Sequence, residues 1–453
     1  MKDRVRIASG QGFWGDLLTA PRDQVRGGPI DYLVMDYLAE VTMSILQKQR
    51  RKDPSLGYAR DLVPLMDELL PLLVEKDIRV ITNGGGVNPA ACRDAIFAAA
   101  ARHGIRGLAI GVVAGDDILP RLPELRGAGI PLANMETGED IAGVLEHVQS
   151  ANVYFGAAPI ARALREGARI VITGRTTDTG LTLAPMMHEF GWAETDWDRL
   201  AAGTVAGHIL ECGAQASGGN FSADWRAVPD LAHVGFPIAE AAADGGIVIT
   251  KHAGTGGLVS VQTVKEQLLY EIGNPAEYIT PDCIADFTTI RLDGDGADRV
   301  RVTGVRGRPP TPSYKVSMSY LDGYTAVGTL TYAWPDALEK ARAADAILRQ
   351  RLADLGLPFE EVRTEFVGHD SCHGPLASAP GELNEVVLRV GVRGKSFEAV
   401  ERFGREIAPL ILTGPPSVTG FAGGRPRPSE VIAYWPALIP RTAVSAEVTV
   451  TTT

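Results

Sequence analysis

Along the first half of the chain, short β-rich runs alternate with helix-like segments, and no other feature restricts the fold as much. The runs fall at 4–9, 30–35, 78–82, 107–113, 151–155 and 169–173, with helix-like stretches at 38–50, 60–75, 89–102, 139–149 and 157–166 between them. The segment 89–102 opens with Asn88 at the N-cap position and Pro89 at the first helical position, a signature of a helix start. Strands alternating with helices predict an α/β domain: a mostly parallel sheet with helices on both faces, and ligands beyond the carboxyl ends of its strands. After 280 the pattern changes. Charged, alternating β-runs at 286–292, 298–304, 314–321 and 324–333 precede a helix at 335–354, further strand, a helix at 396–412 and late strands near 429–435 and 442–450. That pattern predicts a smaller α+β domain over 281–453, after an α/β domain over 1–280; two domains are also the natural expectation for 453 residues. The Gly/Pro-rich segment 413–428 is too long for an ordinary connector and reads as a lid, a docking loop or a clamp.

Charge and cysteine usage narrow the function classes. A net charge of −11 argues against nucleic acid or an anionic membrane surface as the main partner, while leaving room for a local pocket for a small anion. Cys92, Cys212, Cys283 and Cys372 are scattered without a CxxC pair, so neither a disulfide framework nor a zinc ribbon is expected; reduced thiols in a cytoplasm fit better. The N-terminus lacks the apolar stretch of a signal peptide, and no run of about eighteen apolar residues predicts a membrane helix.

Several strand ends carry more polar chemistry than turns require. "IVITGRTTDTGLTL" (170–183) places Arg175, Thr176, Thr177 and Asp178 after an apolar run. One Thr or Asp would suffice as a helix cap, whereas an arginine beside hydroxyls can grip a carboxylate or phosphate. "TNGGGVNP" (82–89) sets Asn83, Gly84, Gly85 and Gly86 before a helix start, where successive amides can meet an anion; a tight turn needs only one glycine, so a ligand or another loop should approach closely. Asp36 and Glu40 in "DYLVMDYLAE" stand at a strand end and a helix start, either as proton-transfer groups or hydrogen-bond acceptors, or with Asp36 merely capping the helix. "TKHAGTGG" (250–257), with Lys251, Gly254, Thr255, Gly256 and Gly257, is a second glycine loop suited to an anion, but no Walker sequence, since its lysine precedes the glycines. "SGQGFWGD" (9–16) spells GxGxxG, yet no apolar helix follows it to present its N-terminus to a pyrophosphate; nicotinamide or flavin is therefore not expected.

The segment 202–221 predicts a helix with one polar stripe. Thr204, His208, Glu211, Cys212 and Gln215 share a face, and the remaining positions are apolar. Such a helix lines a cavity, with His208 and Glu211 as an acid/base pair, or else buries a hydrogen-bonded core pair or a subunit interface. A metal would need a third ligand that the spacing does not supply, so none is assigned. "GHDSCHGP" (368–375) reads mainly as a turn.

In this order, "DYLVMDYLAEVTMSIL", "ITNGGGVNP", "TGRTTDTGLTLAPMMHEFGW", "GTVAGHILECGAQASGGNF", "TKHAGTGG", "EQLLYEI" and "YKVSMSY" resemble the acyclic terpene utilisation (AtuA) family, most clearly over residues 4–330. The resemblance implies a pathway, the breakdown of acyclic terpenoids through branched acyl-CoA thioesters, rather than a reaction. It also implies that longer members carry an extra C-terminal ferredoxin-like segment of roughly one hundred residues; a chain without it works alone or with a small partner subunit. The expectation is a cytoplasmic homo-oligomeric enzyme with hydratase- or lyase-like chemistry on a carboxylate or acyl-CoA substrate. The CoA moiety would enter as part of that substrate. The alternatives are a thioester hydrolase, with Cys212 as nucleophile, and a non-catalytic acyl-CoA-binding scaffold.

Overall fold

The computed structural model describes residues 2–378, 381–419 and 423–453. Within 413–428, positions 420–422 therefore lie outside the described residues, as do Ala379 and Pro380. The chain forms two compact units, one made of Met1–Ser319 and Tyr434–Thr453, the other of Tyr320–Ala433.

The larger unit is built on a ten-stranded sheet. Its strands are β1 (Arg4–Gln11), β2 (Tyr32–Met35), β3 (Arg79–Thr82), β4 (Ala109–Ala114), β6 (Ile170–Thr173), β7 (Ile238–Ala242) and β8 (Ile247–Thr250), together with Arg291–Gly294, Val300–Thr303 and Glu447–Thr452. The strand β5 (Val148–Val153) lies elsewhere and pairs with the start of the long strand Ser313–Ala333, where the Ser150 and Ser319 hydroxyls meet at 2.7 Å.

The centre of the sheet, in the order β1-β2-β3-β6-β4, is parallel. The flanks are not. Five of the nine pairings are antiparallel, so the expected mostly parallel sheet is corrected to a mixed one. For two of the five the reason is connection length. The turn 243–246 between β7 and β8 closes with Ala242 donating to the Gly246 carbonyl, and Asp295 donates to the Arg299 carbonyl between the next two strands. Connections that short allow only antiparallel neighbours, because a parallel crossover needs a dozen residues or more.

Helices cover both faces, as the alternation predicts; the short α5 (Leu122–Gly127) belongs to neither cover. Along β1, Ile7 faces one apolar cluster and Ala8 the other. The first cluster packs α6 (Ala158–Arg165), α7 (Asp178–Phe190), α8 (Trp197–Glu211) and α9 (Val261–Leu269) over Val34, Ile81 and Val171. The second packs α1 (Ala20–Gly27), α2 (Glu40–Lys52), α3 (Leu62–Glu75) and α4 (Pro89–Arg102) over Leu33, Val80 and Ile172. The expected helix at 139–149 is absent. That stretch forms two short 3-10 turns, Ile141–Gly143 and Leu145–His147, and then runs into β5.

The unit Tyr320–Ala433 is antiparallel. Glu385–Gly394 pairs on one side with Glu361–Val367 and on the other with the 324–333 portion of the long strand. Helices Ala337–Asp354 and Phe397–Ile407 bury Leu348, Phe403 and Ile407 with Leu330, Leu388 and Val390. Among the described residues, no helix is long and apolar enough to cross a membrane.

Candidate active site

Because β1, β2, β3 and β6 are parallel, the loops after them leave from one edge of the sheet. The polar strand-end residues meet there. Asn83, directly after β3, donates from Nδ2 to Asp36 Oδ1 at 2.6 Å and accepts from the Tyr37 amide at 2.7 Å. The Leu38 amide also donates to Asp36 Oδ1, at 3.0 Å. Burial pushes the Asp36 carboxyl well above the usual carboxylate range. The charge of Asp178 pushes the same way, while Arg175 and the Asn83 hydrogen bond oppose it.

Arg175 is the hub of the cluster and is almost wholly buried. One terminal nitrogen donates to the Leu38 carbonyl at 2.9 Å and to Asp178 Oδ1 at 2.8 Å; the other donates to the Tyr154 hydroxyl at 3.1 Å. The guanidinium also lies 4.3 Å from the centre of the Tyr154 ring. Tyr154 in turn donates to Glu40 Oε1 at 2.7 Å. Burial alone would raise the Glu40 carboxyl, but Arg175, the Tyr154 hydroxyl and the more distant Lys315 outweigh it and leave Glu40 below its ordinary value. Glu40 and Asp178 are also the first residues of α2 and α7, where the helix ends favour negative charge. Sequence reasoning gave Arg175 to a ligand anion; instead, protein groups occupy most of its donors, and the Nε–H alone is buried without a partner among the described residues.

Residues not foreseen complete the hub. Asp116, two positions beyond β4, accepts at Oδ2 from the Arg175 amide and from Asn152 Nδ2, both at 2.8 Å. Burial pushes its carboxyl up to about 7. Lys315 places its ammonium 5.1 and 5.5 Å from the ring centres of Tyr154 and Tyr434. The signal for Asp116 was its place beyond a strand end in "VVAGDD"; Tyr154 and Lys315 left no local signal.

The polar stripe of α8 divides into a buried part and an open end. Thr204 is fully buried, with its hydroxyl 3.6 Å from Cys283 Sγ. His208 is also fully buried, packed edge-on against the rings of Tyr278 and Phe287, which touch each other, with Nδ1 at 2.8 Å from Glu211 Oε1. Burial works against the imidazolium, but the Glu211 carboxylate outweighs it and raises the His208 pKa. Burial likewise raises Glu211, and the negative charge of Asp178 adds to that. Glu211 is thus within electrostatic reach of the hub, and His208 sits behind it. The loop after β1 closes on this end of α8: a Cβ on Gly12 would stand 2.8 Å from the Glu211 carbonyl oxygen. Gly12 therefore serves a close backbone crossing.

The other strand-end motifs are occupied by the protein itself. Thr176 donates to the Phe155 carbonyl, and the Thr177 amide donates to the same oxygen. Around Gly84, Gly85 and Gly86 it is another loop that makes the close approach: Ala59 donates to the Gly84 carbonyl, Val87 donates to the Gly57 carbonyl, and Gly86, at φ +53°, packs on Leu46. The 251–257 loop lies apart from this hydrogen-bonded cluster. The Lys251 ammonium is buried at 3.1 Å from Asp298 and donates to the Thr255 carbonyl at 2.8 Å. The amides of Gly256 and Gly257 donate to the His233 and Pro229 carbonyls, and Gly254 has open space around it. The amides of Val87, Gly256 and Gly257 are thus spent on protein carbonyls, so part of the backbone expected to cradle an anion in each glycine loop serves loop packing instead.

Fold and cluster together define a mixed α/β protein whose parallel strands deliver three carboxyl groups, Asp36, Glu40 and Asp178, to the surroundings of one buried arginine, with Glu211 at the end of α8 within electrostatic reach of Asp178. Among the described residues, no group of three or more His, Cys, Asp or Glu side chains is arranged to hold a metal ion. The chain belongs to the acyclic terpene utilisation family, AtuA, whose model matches residues 5–450. Membership carries a role in acyclic terpene utilisation. No curated protein and no solved structure matches the chain.

Proposed function

We propose that this protein is an enzyme of acyclic terpenoid or branched-chain acid catabolism. It adds or eliminates water at a carboxylate or acyl-thioester substrate by paired proton transfers. One observation carries the reading: Asp36 and Glu40 both feel the charge of Arg175, yet their surroundings push their carboxyl pKa values in opposite directions. Two carboxyls separated in this way can act as acid and base at one pH. In the elimination direction, Glu40 takes the proton from the carbon beside the carbonyl and Asp36 gives its proton to the departing hydroxyl, which leaves as water. Addition is the reverse. Lys315 supplies positive charge beside Tyr154 for the carbonyl oxygen as negative charge develops there. The Glu211–His208 pair holds a proton within electrostatic reach of Asp178 at the rear of the cluster.

The hydrolase alternative draws no support from Cys212, because burial, with Glu211 adding, pushes its thiol up to about 12 and leaves little thiolate. The test is exchange of the α-proton of a branched acyl thioester in deuterated water. Wild-type protein should catalyse exchange, and Glu40→Gln should abolish it while keeping its melting temperature. A wild-type chain that binds the thioester without exchange would favour the scaffold reading, and equal exchange by Glu40→Gln would remove Glu40 as the base.

A further inference from the structure

Tyr154 and Phe155 are consecutive residues, and successive side chains of an extended segment point to opposite sides. Tyr154 turns its hydroxyl to Glu40 and Arg175. Phe155 turns instead into a separate cavity of about 340 Å³, within the larger unit, walled by Phe155, Met187, Trp197, Leu200 and Tyr314. That volume lies at the small end of the roughly 300–1,000 Å³ typical of small-molecule pockets. None of the chemistry proposed above uses it.

Three charged side chains also line this cavity, Glu194, Asp282 and Arg441, and the charge of Glu194 adds to the rise of the Asp282 carboxyl. Asp282 Oδ1 accepts from the Ala157 amide at 2.8 Å, at the start of α6. The nearby Ala158 amide also favours the charge, but Oδ2 is buried and has no partner in hydrogen-bonding geometry among the described residues. A buried carboxylate oxygen left unpaired is costly, so a donor belongs beside it. Arg441 is held in place from three sides: it donates to the Thr311 and Pro281 carbonyls, each at 2.7 Å, and its guanidinium stacks 4.3 Å from the centre of the Tyr314 ring. Neither bond uses its other terminal nitrogen. Pro281 precedes Asp282 in the chain, so the cation and the unpaired acceptor are neighbours.

We propose that this cavity is a second binding site, taking a small neutral molecule with an apolar body and one hydroxyl group. A hydroxyl both donates and accepts. It can donate to Asp282 Oδ2 and accept from Arg441 while the hydrocarbon fills the aromatic and aliphatic walls. Burial pushes the Asp282 carboxyl up to about 6, with Arg441 among the groups opposing the rise, so near pH 7.5 it is mainly ionised and able to accept. A carboxylate ligand would meet that charge and be repelled. An ether of the same skeleton would leave Oδ2 unpaired.

The test is calorimetric titration of the full chain with 3-methylbutan-1-ol, its methyl ether and 3-methylbutanoate at pH 7.5. The alcohol should bind at least about tenfold more tightly than the ether, the scale of a hydrogen bond to a charged group, and more tightly than the carboxylate. Asp282→Asn should erase the preference for alcohol over ether. Ala446→Phe, which narrows the cavity without touching the α6 contact, should abolish alcohol binding with melting unchanged, and it decides the matter if Asp282→Asn does not fold. Equal binding of alcohol and ether to the wild type, tighter binding of the carboxylate, or alcohol binding that survives Ala446→Phe would overturn the proposal. Glu40→Gln should retain the alcohol site, so failure of the proposed acid/base chemistry and failure of this pocket are told apart.

Discussion

Arg175→Lys keeps the charge at the centre of the hub and removes the planar fork that distributes it. The guanidinium holds Asp178, the Leu38 carbonyl and the Tyr154 hydroxyl at 2.8–3.1 Å while stacking on the Tyr154 ring. An ammonium at the end of a lysine is a point charge. If it stays with Asp178, it gives up the other two acceptors, at about 1.5 kcal/mol each for bonds from a charged donor. It also gives up a cation–π contact of about 0.5–1 kcal/mol. The expected loss is therefore about 3–4 kcal/mol, read from urea unfolding with peptide-resolved hydrogen exchange over β6 and α7. A second readout follows from Glu40, whose pKa lies below its ordinary value in the folded protein. Its contribution to stability is present above the unfolded value and is lost as pH falls through the folded value. Moving the cation away from Glu40 raises that folded pKa, so the acid limb of turnover should shift to higher pH. A variant that loses less than about 0.5 kcal/mol, the range of an ordinary surface substitution, and keeps its acid limb would refute the account of Arg175 as the organiser of these carboxyls.

Three further outcomes follow. Asp116 has a folded pKa raised to about 7, so its contribution is fully present below the ordinary carboxylate value of 3.8 and is lost as pH rises through about 7; Asp116→Asn should flatten the fall in stability across that window, measured by urea unfolding at pH 5 to 8. Gly256→Ala would drive a Cβ into the Asp230 carbonyl oxygen, so the ligand-free protein should lose about 1–3 kcal/mol by thermal or chemical unfolding, where an open anion loop would lose little. Asp298→Ala should cost about 2–3 kcal/mol, because it strands the buried Lys251 ammonium; the value sits below that of a fully buried pair because Asp298 is about a third exposed, and urea unfolding would measure it.

The sequence carried the central architecture because its period and punctuation were local. The apolar runs ending at Met35, Thr82 and Thr173 became three parallel strands, and Asn88-Pro89 opened α4 at the expected residue. The antiparallel flanks were also written locally, as the short turns "ADGG" and "DGDGAD"; no strand is expected around the first, and the runs beside the second are assigned to the later α+β domain rather than to this sheet. The error at 139–149 arose because Ile141, Val144, Leu145 and Val148 fit a helical period; Gly143 and the following strand partner decided otherwise. At the candidate site, a strand-end position was enough to single out Asp36, Asn83, Arg175 and Asp178. Their pairing was not legible. Whether an arginine's donors face a ligand or a tyrosine from another segment depends on the placement of β5, which joins a partner more than 150 residues later in the chain. Glycine content misled for a related reason, since a glycine marks close approach without naming what approaches.

The last described strand, Glu447–Thr452, pairs along the whole of β4, Ala109–Ala114, and so completes one edge of the large sheet. During synthesis, β4 must wait while more than three hundred residues emerge. The whole of Tyr320–Ala433 is made within that interval, and its antiparallel pairings lie inside its own span. Domains generally fold as units as they emerge, so the later segment is able to fold before the earlier one is finished. Until then the edge of β4 offers unpaired backbone groups to any passing strand. The order of completion can thus run against the order of the sequence, with the β4 edge the last place in the sheet to find its partner, residues 447–452.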